Sequence, residues 1–209
     1  MELLLIRHGL PVRRELDDGV ADPGLSPAGV RQAEHLARYL AAEHLDAIYT
    51  SPLIRAVQTA EPTAAHFGLR LVTREEVAEW DRNSAAYVPM EELKAANDPR
   101  WQAMVRGDWT SQDETPEQFR GRVVDAIENL INTHRGDKIA VVCHGGVIIA
   151  YLSHVLGIPG HVSFFYPNYT SIHRVAAARS GERSIVTINE TPHLRGTGLP
   201  IGVFQGPQR

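Results

Sequence analysis

The chain has 209 residues, of which 43% are hydrophobic and 22% are charged, and its formal net charge is −4. This composition is typical of a soluble globular protein, and the negative charge argues against nucleic acid as the main partner. Cys143 is the single cysteine, so an internal disulfide is excluded. The apolar N-terminus is too short for a membrane span and lacks a basic leader, so we expect a cytoplasmic protein with no membrane partner. A homodimer is compatible with the sequence.

Strand patterns and helix patterns alternate along most of the chain, beginning with an apolar strand at residues 2–6. Such alternation favours a largely parallel sheet covered by helices. We therefore expect an α/β fold over residues 1–209, organised as a single three-layer α/β/α domain with a mostly parallel central sheet. Further strands are predicted at residues 47–50, 69–73 and 138–143, helices after Ser26, Ser51 and Thr115 and at residues 147–156, and a hairpin turn near residues 180–181.

Several helix ends carry clear signals. Ser26 followed by Pro27 is typical of an N-cap and a first helical residue, and Ser51-Pro52 repeats the pattern. Thr115 with Gln118 three residues later predicts a capping box. Pro62 is expected to kink or interrupt the second helix near Glu61, because proline lacks the N–H that a helix interior requires.

The segment from residue 74 to residue 112 does not fit the alternating pattern. It is polar, weakly periodic and rich in aromatic residues. A connection of this length suggests a lid-like insertion over a site. A helical subdomain with its own small core is an equally good interpretation, and the two are compatible. The aromatic residues of the segment are Trp80, Tyr87, Trp101 and Trp109.

Charged and titratable side chains follow three of the predicted strands. In open α/β sheets ligands bind beyond the carboxyl ends of the strands, so these groups should lie close together. Arginines match phosphate oxygens, and helix N-termini offer unpaired N–H groups to an anion. The pattern therefore predicts a pocket for a doubly charged oxyanion such as phosphate. The residues concerned are Arg7, His8 and Gly9 after the first strand, Arg55 after the second, and His144, Gly145 and Gly146 after the last.

Catalysis on a bound phosphate group needs a nucleophile and a proton donor. His8 is the candidate nucleophile, because neighbouring cations disfavour its protonation and leave a ring nitrogen lone pair free. A carboxyl group beside a dianionic phosphate has a raised pKa, which suits a general acid. The stretch "EEVAEWDR" offers four such groups, Glu75, Glu76, Glu79 and Asp81.

Five blocks of the sequence together resemble the histidine phosphatase superfamily, also called the phosphoglycerate mutase-like family. The triplet "RHG" alone is a weak signal, but its place after the first strand, with the other blocks in register, is specific. In chain order the blocks are "LLIRHG", "DPGLSPAGVRQA", "YTSPLIRAVQTA", "VAEWD" and "VVCHGG".

The resemblance implies a metal-independent phosphatase that works without a cofactor on a small phosphorylated metabolite. It implies that His8 is phosphorylated in a first step and hydrolysed in a second. Glu79 would protonate the leaving oxygen and then activate water, with Asp81 as the reserve candidate. The residues implied to hold the phosphoryl group are Arg7, Arg55, His144 and the backbone at Gly145, and Gly9 would let the chain turn close to the anion.

Other functions compete with this interpretation. A cofactor-dependent phosphoglycerate mutase shares the chemistry, and a non-catalytic phosphate-ligand sensor could use the same scaffold. The sequence lacks metal-binding spacings such as HExxH, and a cysteine phosphatase would need an arginine six positions after Cys143, where Ile149 stands. Leu10, Pro11 and Arg14 depart from the family pattern near the phosphate rim. These departures bear on substrate specificity more than on the reaction.

Overall fold

The computed structural model describes residues 1–106, 114–160 and 163–204. Eight strands are assigned within these residues, and six of them form one sheet. The strands are β1 (Glu2–Arg7), β2 (Arg14–Glu15), β3 (Ala47–Thr50), β4 (Leu71–Thr73), β5 (Ala86–Tyr87), β6 (Lys138–Cys143), β7 (Ile172–Ala177) and β8 (Arg183–Glu190). The helices are α1 (Pro27–Leu40), α2 (Ile54–Phe67), α3 (Met90–Ala95), α4 (Pro99–Arg106), α5 (Pro116–Thr133) and α6 (Gly145–Val155), with 3₁₀ turns at Glu75–Val77 and Pro192–Leu194.

The six-stranded sheet has the order β4-β3-β6-β1-β7-β8. The pairs β4-β3, β3-β6 and β6-β1 are parallel, and β7 and β8 extend the sheet as the predicted antiparallel hairpin. Arg7 lies opposite Cys143 at the ends of the two central parallel strands. The expectation of a mostly parallel sheet is confirmed, and its parallel strands end at one edge.

Both faces of the sheet are covered by helices, which confirms the α/β/α arrangement. Leu3 and Leu5 of β1 belong to a core with α5 and α6, whereas Leu4 and Ile6 belong to a core with α1 and α2. All four side chains are completely buried. Since alternate residues of a strand point to opposite faces, a continuous apolar run is what a strand covered on both sides requires.

Two of the helix starts agree with the sequence signals. Ser26 caps α1 by accepting a hydrogen bond from the backbone N–H of Gly29, and Thr115 forms the predicted capping box with Gln118. Helix α6, which starts near the site, begins at Gly145 with His144 as its N-cap. This start lies two residues before the predicted one. The first turn of α6 therefore lies directly after β6.

Helix α2 differs from its prediction at its start and in its middle. It begins at Ile54, because the carboxylate of Asp22 accepts the Ile54 N–H at 3.0 Å and supplies the cap that Ser51 was expected to give. It also continues through Pro62 to Phe67, so the predicted interruption is wrong. The buried alanine face of α2, formed by Ala56, Ala60 and Ala64, packs against the sheet and α1, and this packing outweighs the proline penalty of about 3 kcal/mol.

The segment after β4 forms short elements rather than a regular connection. Within it, β5 pairs antiparallel with β2, so that Arg14 lies opposite Tyr87 and Glu15 lies opposite Ala86. Helices α3 and α4 follow and contact each other. Trp109 and the rest of residues 107–112 lie outside the described residues. Across residues 1–106, 114–160 and 163–204, no helix combines the length and apolarity needed to cross a bilayer.

Candidate active site

A cavity of about 360 Å³ opens at the carboxyl ends of the parallel strands. Its polar end contains the side chains of Arg7, His8, Arg55, Glu79 and Asp81 together with Gly145 at the start of α6. These residues come from the ends of β1, α2, the turn after β4 and α6, and the sheet topology places the ends of these elements at one edge. The remaining walls come largely from the segment between β4 and α5 and from the loop before β7.

His8 is buried, with 3% of its surface exposed. Its Nδ1 lies 2.7 Å from the carbonyl oxygen of Gly9. A carbonyl oxygen only accepts hydrogen bonds, so Nδ1 carries the proton and Nε2 keeps its lone pair. Burial lowers the pKa of His8 well below its usual 6.5, and the charges of Arg7 and Arg55 lower it further. The ring is therefore neutral and nucleophilic at neutral pH.

Arg7 is held in place by the loop before β7, which also forms part of the cavity wall. Its Nη1 donates a hydrogen bond of 2.6 Å to the carbonyl oxygen of Pro167. Its guanidinium lies over the rings of Tyr169 and Tyr166, 4.4 Å and 5.0 Å from their centroids. A β-carbon on Gly145 would stand 3.8 Å from Arg7 Nε, so the guanidinium faces the first turn of α6.

Arg55 is almost completely buried on the first turn of α2. Its Nη2 lies 2.8 Å from Asp81 Oδ1, and its Nη1 lies 3.8 Å from Asp22 Oδ1. The guanidinium stacks over the ring of Tyr87 at 4.6 Å. A buried cation costs several kcal/mol unless it is paired, so these carboxylates stabilise Arg55 in the absence of a bound anion.

His144 lies beside His8, with 5.2 Å between the ring centroids. Its Nε2 is 2.7 Å from the hydroxyl oxygen of Ser51. Burial lowers the pKa of His144 well below 6.5, as do the charges of Arg55 and Arg7. His144 is fully buried and lies behind the residues that form the cavity surface.

Three buried nitrogen atoms at this end of the cavity have no hydrogen-bond partner among the described residues. They are Arg7 Nε, Arg55 Nε and His144 Nδ1. Buried polar groups in folded proteins are nearly always paired, so these three nitrogens are available to hydrogen-bond a bound ligand. Two of them belong to cations, and the ligand they suit is an anion with several oxygen acceptors.

Glu79 also lines the polar end of the cavity. Its Oε2 accepts the N–H of Gly146 at 2.8 Å, and its Oε1 accepts the N–H of Trp80 at 3.0 Å. A β-carbon at Gly146 would stand closer than van der Waals contact to Glu79 Oε1, so glycine leaves room for the carboxyl group in this position. Burial raises the pKa of Glu79, and the negative charge of Asp81 raises it further. Glu79 therefore holds its proton at a higher pH than an ordinary glutamate.

Gly9 has a different place from the one its sequence suggests. Its N–H donates to Thr59 Oγ1 at 2.9 Å, and Gly9 is not among the residues that line the cavity. A β-carbon there would lie 2.9 Å from the carbonyl oxygen of Gly29, so glycine permits a close approach of the chain to α1, and a role of Gly9 beside an anion stays a prediction. Arg14 on β2 is exposed and does not line the cavity either.

Some of the residues around the cavity belong to no recognised motif and are not predicted as site residues from the sequence. Tyr166 and Tyr169 stack on Arg7, and Asn189 fixes their loop by donating to the carbonyl of Tyr166 at 3.0 Å. The aromatic run "FFYPNY" at residues 164–169 is a signal that could have directed attention to this loop. Asn189 gives no comparable signal, because its contact joins positions far apart in the chain.

Neither cysteine nor metal chemistry gains support from the geometry. Burial raises the pKa of the Cys143 thiol, which leaves it protonated and unreactive. Across the described parts of the chain, no group of three or more histidine, cysteine, aspartate or glutamate side chains is arranged to hold a metal ion. Metal independence stays a prediction.

Residues 3–191 match the model of the histidine phosphatase superfamily (branch 1). Phosphoserine phosphatase 1 of Hydrogenobacter thermophilus is 28% identical over 201 residues, which is 93% of this chain and 94% of that protein. A probable phosphoglycerate mutase, GpmB, of Yersinia enterocolitica is 29% identical over 169 residues, which is 77% of each chain.

The fold is also that of solved phosphatases. A histidine-to-alanine mutant of phosphoserine phosphatase from Entamoeba histolytica, in complex with phosphoserine, superposes with a TM-score of 0.72 at 23% identity. The superposition covers 92% of this chain and 98% of that one. The family match over nearly the whole chain agrees with a cavity suited to phosphate and a neutral histidine at its centre. The chain belongs to the histidine phosphatase superfamily and is a phosphatase of that family.

Proposed function

We propose that this phosphatase hydrolyses small phosphomonoesters without a metal ion, through a phosphohistidine formed at His8. The observation that carries the proposal is the free Nε2 of a neutral, buried His8 beside three unpaired nitrogens of Arg7, Arg55 and His144. A phosphoryl group placed there would have its oxygens next to fixed cations and its phosphorus next to a nucleophile. This arrangement needs no metal to stabilise the transferring charge.

In the first step, His8 Nε2 attacks phosphorus as the bond from phosphorus to the ester oxygen breaks. Glu79 transfers its proton to the departing oxygen, so the alcohol leaves neutral. The raised pKa of Glu79 supports this role, because the group must be protonated when the substrate binds. The Nδ1–H bond to the Gly9 carbonyl keeps the imidazole oriented and stabilises the positive charge that forms on the ring.

In the second step, a water oxygen attacks phosphorus as the bond between Nε2 and phosphorus breaks. Glu79, now a carboxylate, takes a proton from that water, and inorganic phosphate leaves with His8 neutral again. The products are one alcohol and one phosphate per water consumed. The phosphatase name of the Hydrogenobacter relative, which covers almost the whole chain, supports water as the acceptor.

Comparison of His8→Ala with His44→Ala tests the proposal. His44 is highly exposed, with 77% of its side chain accessible, and makes its contact with Asp46 away from the cavity. We expect His8→Ala to lower the hydrolysis of p-nitrophenyl phosphate by at least about 10³-fold, while the His44 variant keeps its activity. Circular dichroism and thermal melting check that both variants fold. Near-normal activity of folded His8→Ala would overturn the mechanism.

Trapping the intermediate separates the phosphatase from its alternatives. Enzyme mixed with substrate and denatured at alkaline pH should yield a peptide containing His8 that is heavier by one phosphoryl group. Binding of phosphate without this adduct and without turnover would favour a phosphate sensor. Interconversion of 3-phosphoglycerate and 2-phosphoglycerate faster than release of phosphate would favour a mutase, the activity named for the Yersinia relative.

A further inference from the structure

The part of the cavity beyond the phosphate end is apolar. Its walls there are formed by Val88, Met90, Leu93, Met104, Ile149 and the ring of Tyr87. Met90, Leu93 and Met104 come from the neighbouring helices α3 and α4, and Ile149 comes from α6 on the other side. The alcohol part of a substrate whose phosphate lies at His8 would therefore be surrounded by hydrocarbon.

The charges that face this part of the cavity do not favour a second anion. Glu79 and Asp81 lie at the neighbouring polar end, and apart from Arg7 and Arg55 at that end, Arg100 is the one cation among the described residues that line the cavity. Arg100 is already paired, with its Nη2 2.8 Å from Asp98 and its Nη1 3.4 Å from Glu15. Among the described residues, a carboxylate on the substrate would therefore find no unpaired cation in exchange for its lost hydration, and it would lie near the carboxylate of Asp81.

We propose that the cavity selects phosphomonoesters of apolar alcohols that carry no second negative charge. The inference rests on the proposed function and specifies its substrate class. Phosphate contacts are the same for every monoester, so discrimination must come from the alcohol part. Apolar walls favour an alkyl or aryl group, and each polar group that stays unpaired inside them lowers the rate constant kcat/KM.

Three esters of primary alcohols test the proposal at similar leaving-group basicity. They are 2-phenylethyl phosphate, glycerol 3-phosphate and 3-phosphoglycerate, which are apolar, polar and anionic in turn. We expect kcat/KM for 2-phenylethyl phosphate to exceed that for glycerol 3-phosphate by about tenfold and that for 3-phosphoglycerate by about a hundredfold. A preference for 3-phosphoglycerate, or equal values for all three esters, would overturn the proposal.

A pair of neighbouring substitutions on α4 tests the wall directly. Met104 lines the cavity, whereas Val105 is 64% exposed on the outside of the same helix. Met104→Gln keeps the length of the side chain and adds a polar group, and we expect it to lower kcat/KM for 2-phenylethyl phosphate by about tenfold. It should leave glycerol 3-phosphate within about twofold, and Val105→Gln should change neither ester.

The results separate a failure of the proposed substrate class from a failure of the proposed phosphatase mechanism. If none of the three esters is hydrolysed through a phosphohistidine, the proposed function fails. If all are hydrolysed but Met104→Gln and Val105→Gln behave alike, the reaction stands and the selective wall is wrong. Equal loss on all three esters in a Met104→Gln variant that melts like the parent protein would also overturn the wall, because the effect of Met104 would then not depend on the alcohol.

Discussion

Asp81 is ion-paired with Arg55 at 2.8 Å. This pairing gives Asp81 an environment different from that of Glu79, the carboxyl group two residues before it in the chain. Asp81 is half exposed to solvent and lies against a cation. Glu79 is buried, accepts only backbone N–H bonds from Trp80 and Gly146, and has a raised pKa. The two environments differ in their effect on a proton: burial and the charge of Asp81 raise the pKa of Glu79, whereas the carboxylate of Asp81 is engaged by the guanidinium of Arg55. The geometry thus favours Glu79 as proton donor over its reserve candidate.

The first prediction concerns leaving groups. Glu79→Gln should lower kcat for 2-phenylethyl phosphate by about 10²- to 10⁴-fold, because an alkoxide leaves slowly without a proton. The same variant should slow p-nitrophenyl phosphate much less in its first step, because nitrophenolate is a stable anion. Steady-state and burst kinetics on both esters measure the difference. If Asp81→Asn shows this selective loss and Glu79→Gln does not, the proton donor is Asp81.

The second prediction concerns pH. Glu79 must be protonated to act as an acid, so kcat/KM for 2-phenylethyl phosphate should fall as pH rises through its raised pKa. The charge of Asp81 contributes to that rise, so Asp81→Asn should lower the pKa of Glu79 and move this alkaline limb to lower pH. Asp22→Asn is the matched control, because it removes the other carboxylate near Arg55. An unmoved limb in Asp81→Asn, or an equal movement in both variants, would contradict this assignment.

The third prediction concerns metal ions. Arg7 and Arg55 supply fixed positive charge at the phosphate end of the cavity. Dialysis against EDTA should therefore change kcat by less than about twofold, since no divalent cation is needed to neutralise the transferring group. Activity on p-nitrophenyl phosphate before and after dialysis is the measurement. Strong inhibition that added magnesium or zinc reverses would establish a metal site.

The fourth prediction concerns two glycines in helices. A β-carbon at Gly29 of α1 would overlap the carbonyl oxygen of Leu10, whereas one at Gly121 of α5 would meet no atom within 4 Å. Glycine to alanine in an open helical position stabilises by about 0.5–1 kcal/mol. Gly121→Ala should do so, but Gly29→Ala should destabilise by at least about 2 kcal/mol, because backbone must move. Urea unfolding measures the change in the free energy of unfolding for both variants. Changes of the same sign would show that the chain between β1 and β2 adapts to a β-carbon at Gly29.

The strand ends are the part of the site that the sequence predicts best. Arg7, His8 and His144 each follow an apolar run, and the parallel pairing of β1 with β6 makes neighbours of the residues at those ends. Arg55 follows the same rule through β3, the next strand in the sheet. Local patterns determine these strands, and the general architecture of parallel sheets determines where their ends meet.

What the sequence does not predict depends on contacts between distant positions. The continuation of α2 through Pro62 depends on a buried face that packs on α1, and the loop that holds Arg7 depends on Asn189. The bond from the Gly9 N–H to Thr59 likewise joins two separate elements. No local propensity carries such information, because the partner of each group is known only once the chain has folded.

Strand β1 lies between β6 and β7 in the sheet, although it precedes every other described element in the chain. During synthesis, the segment that carries Arg7 and His8 therefore emerges long before either of its neighbours exists. Contacts between such distant positions close late and slowly. The nascent chain should gain the ability to bind phosphate only after residue Ala177 has cleared the ribosome, because both neighbours of β1 exist only then, and until that point the apolar run of β1 is open to aggregation.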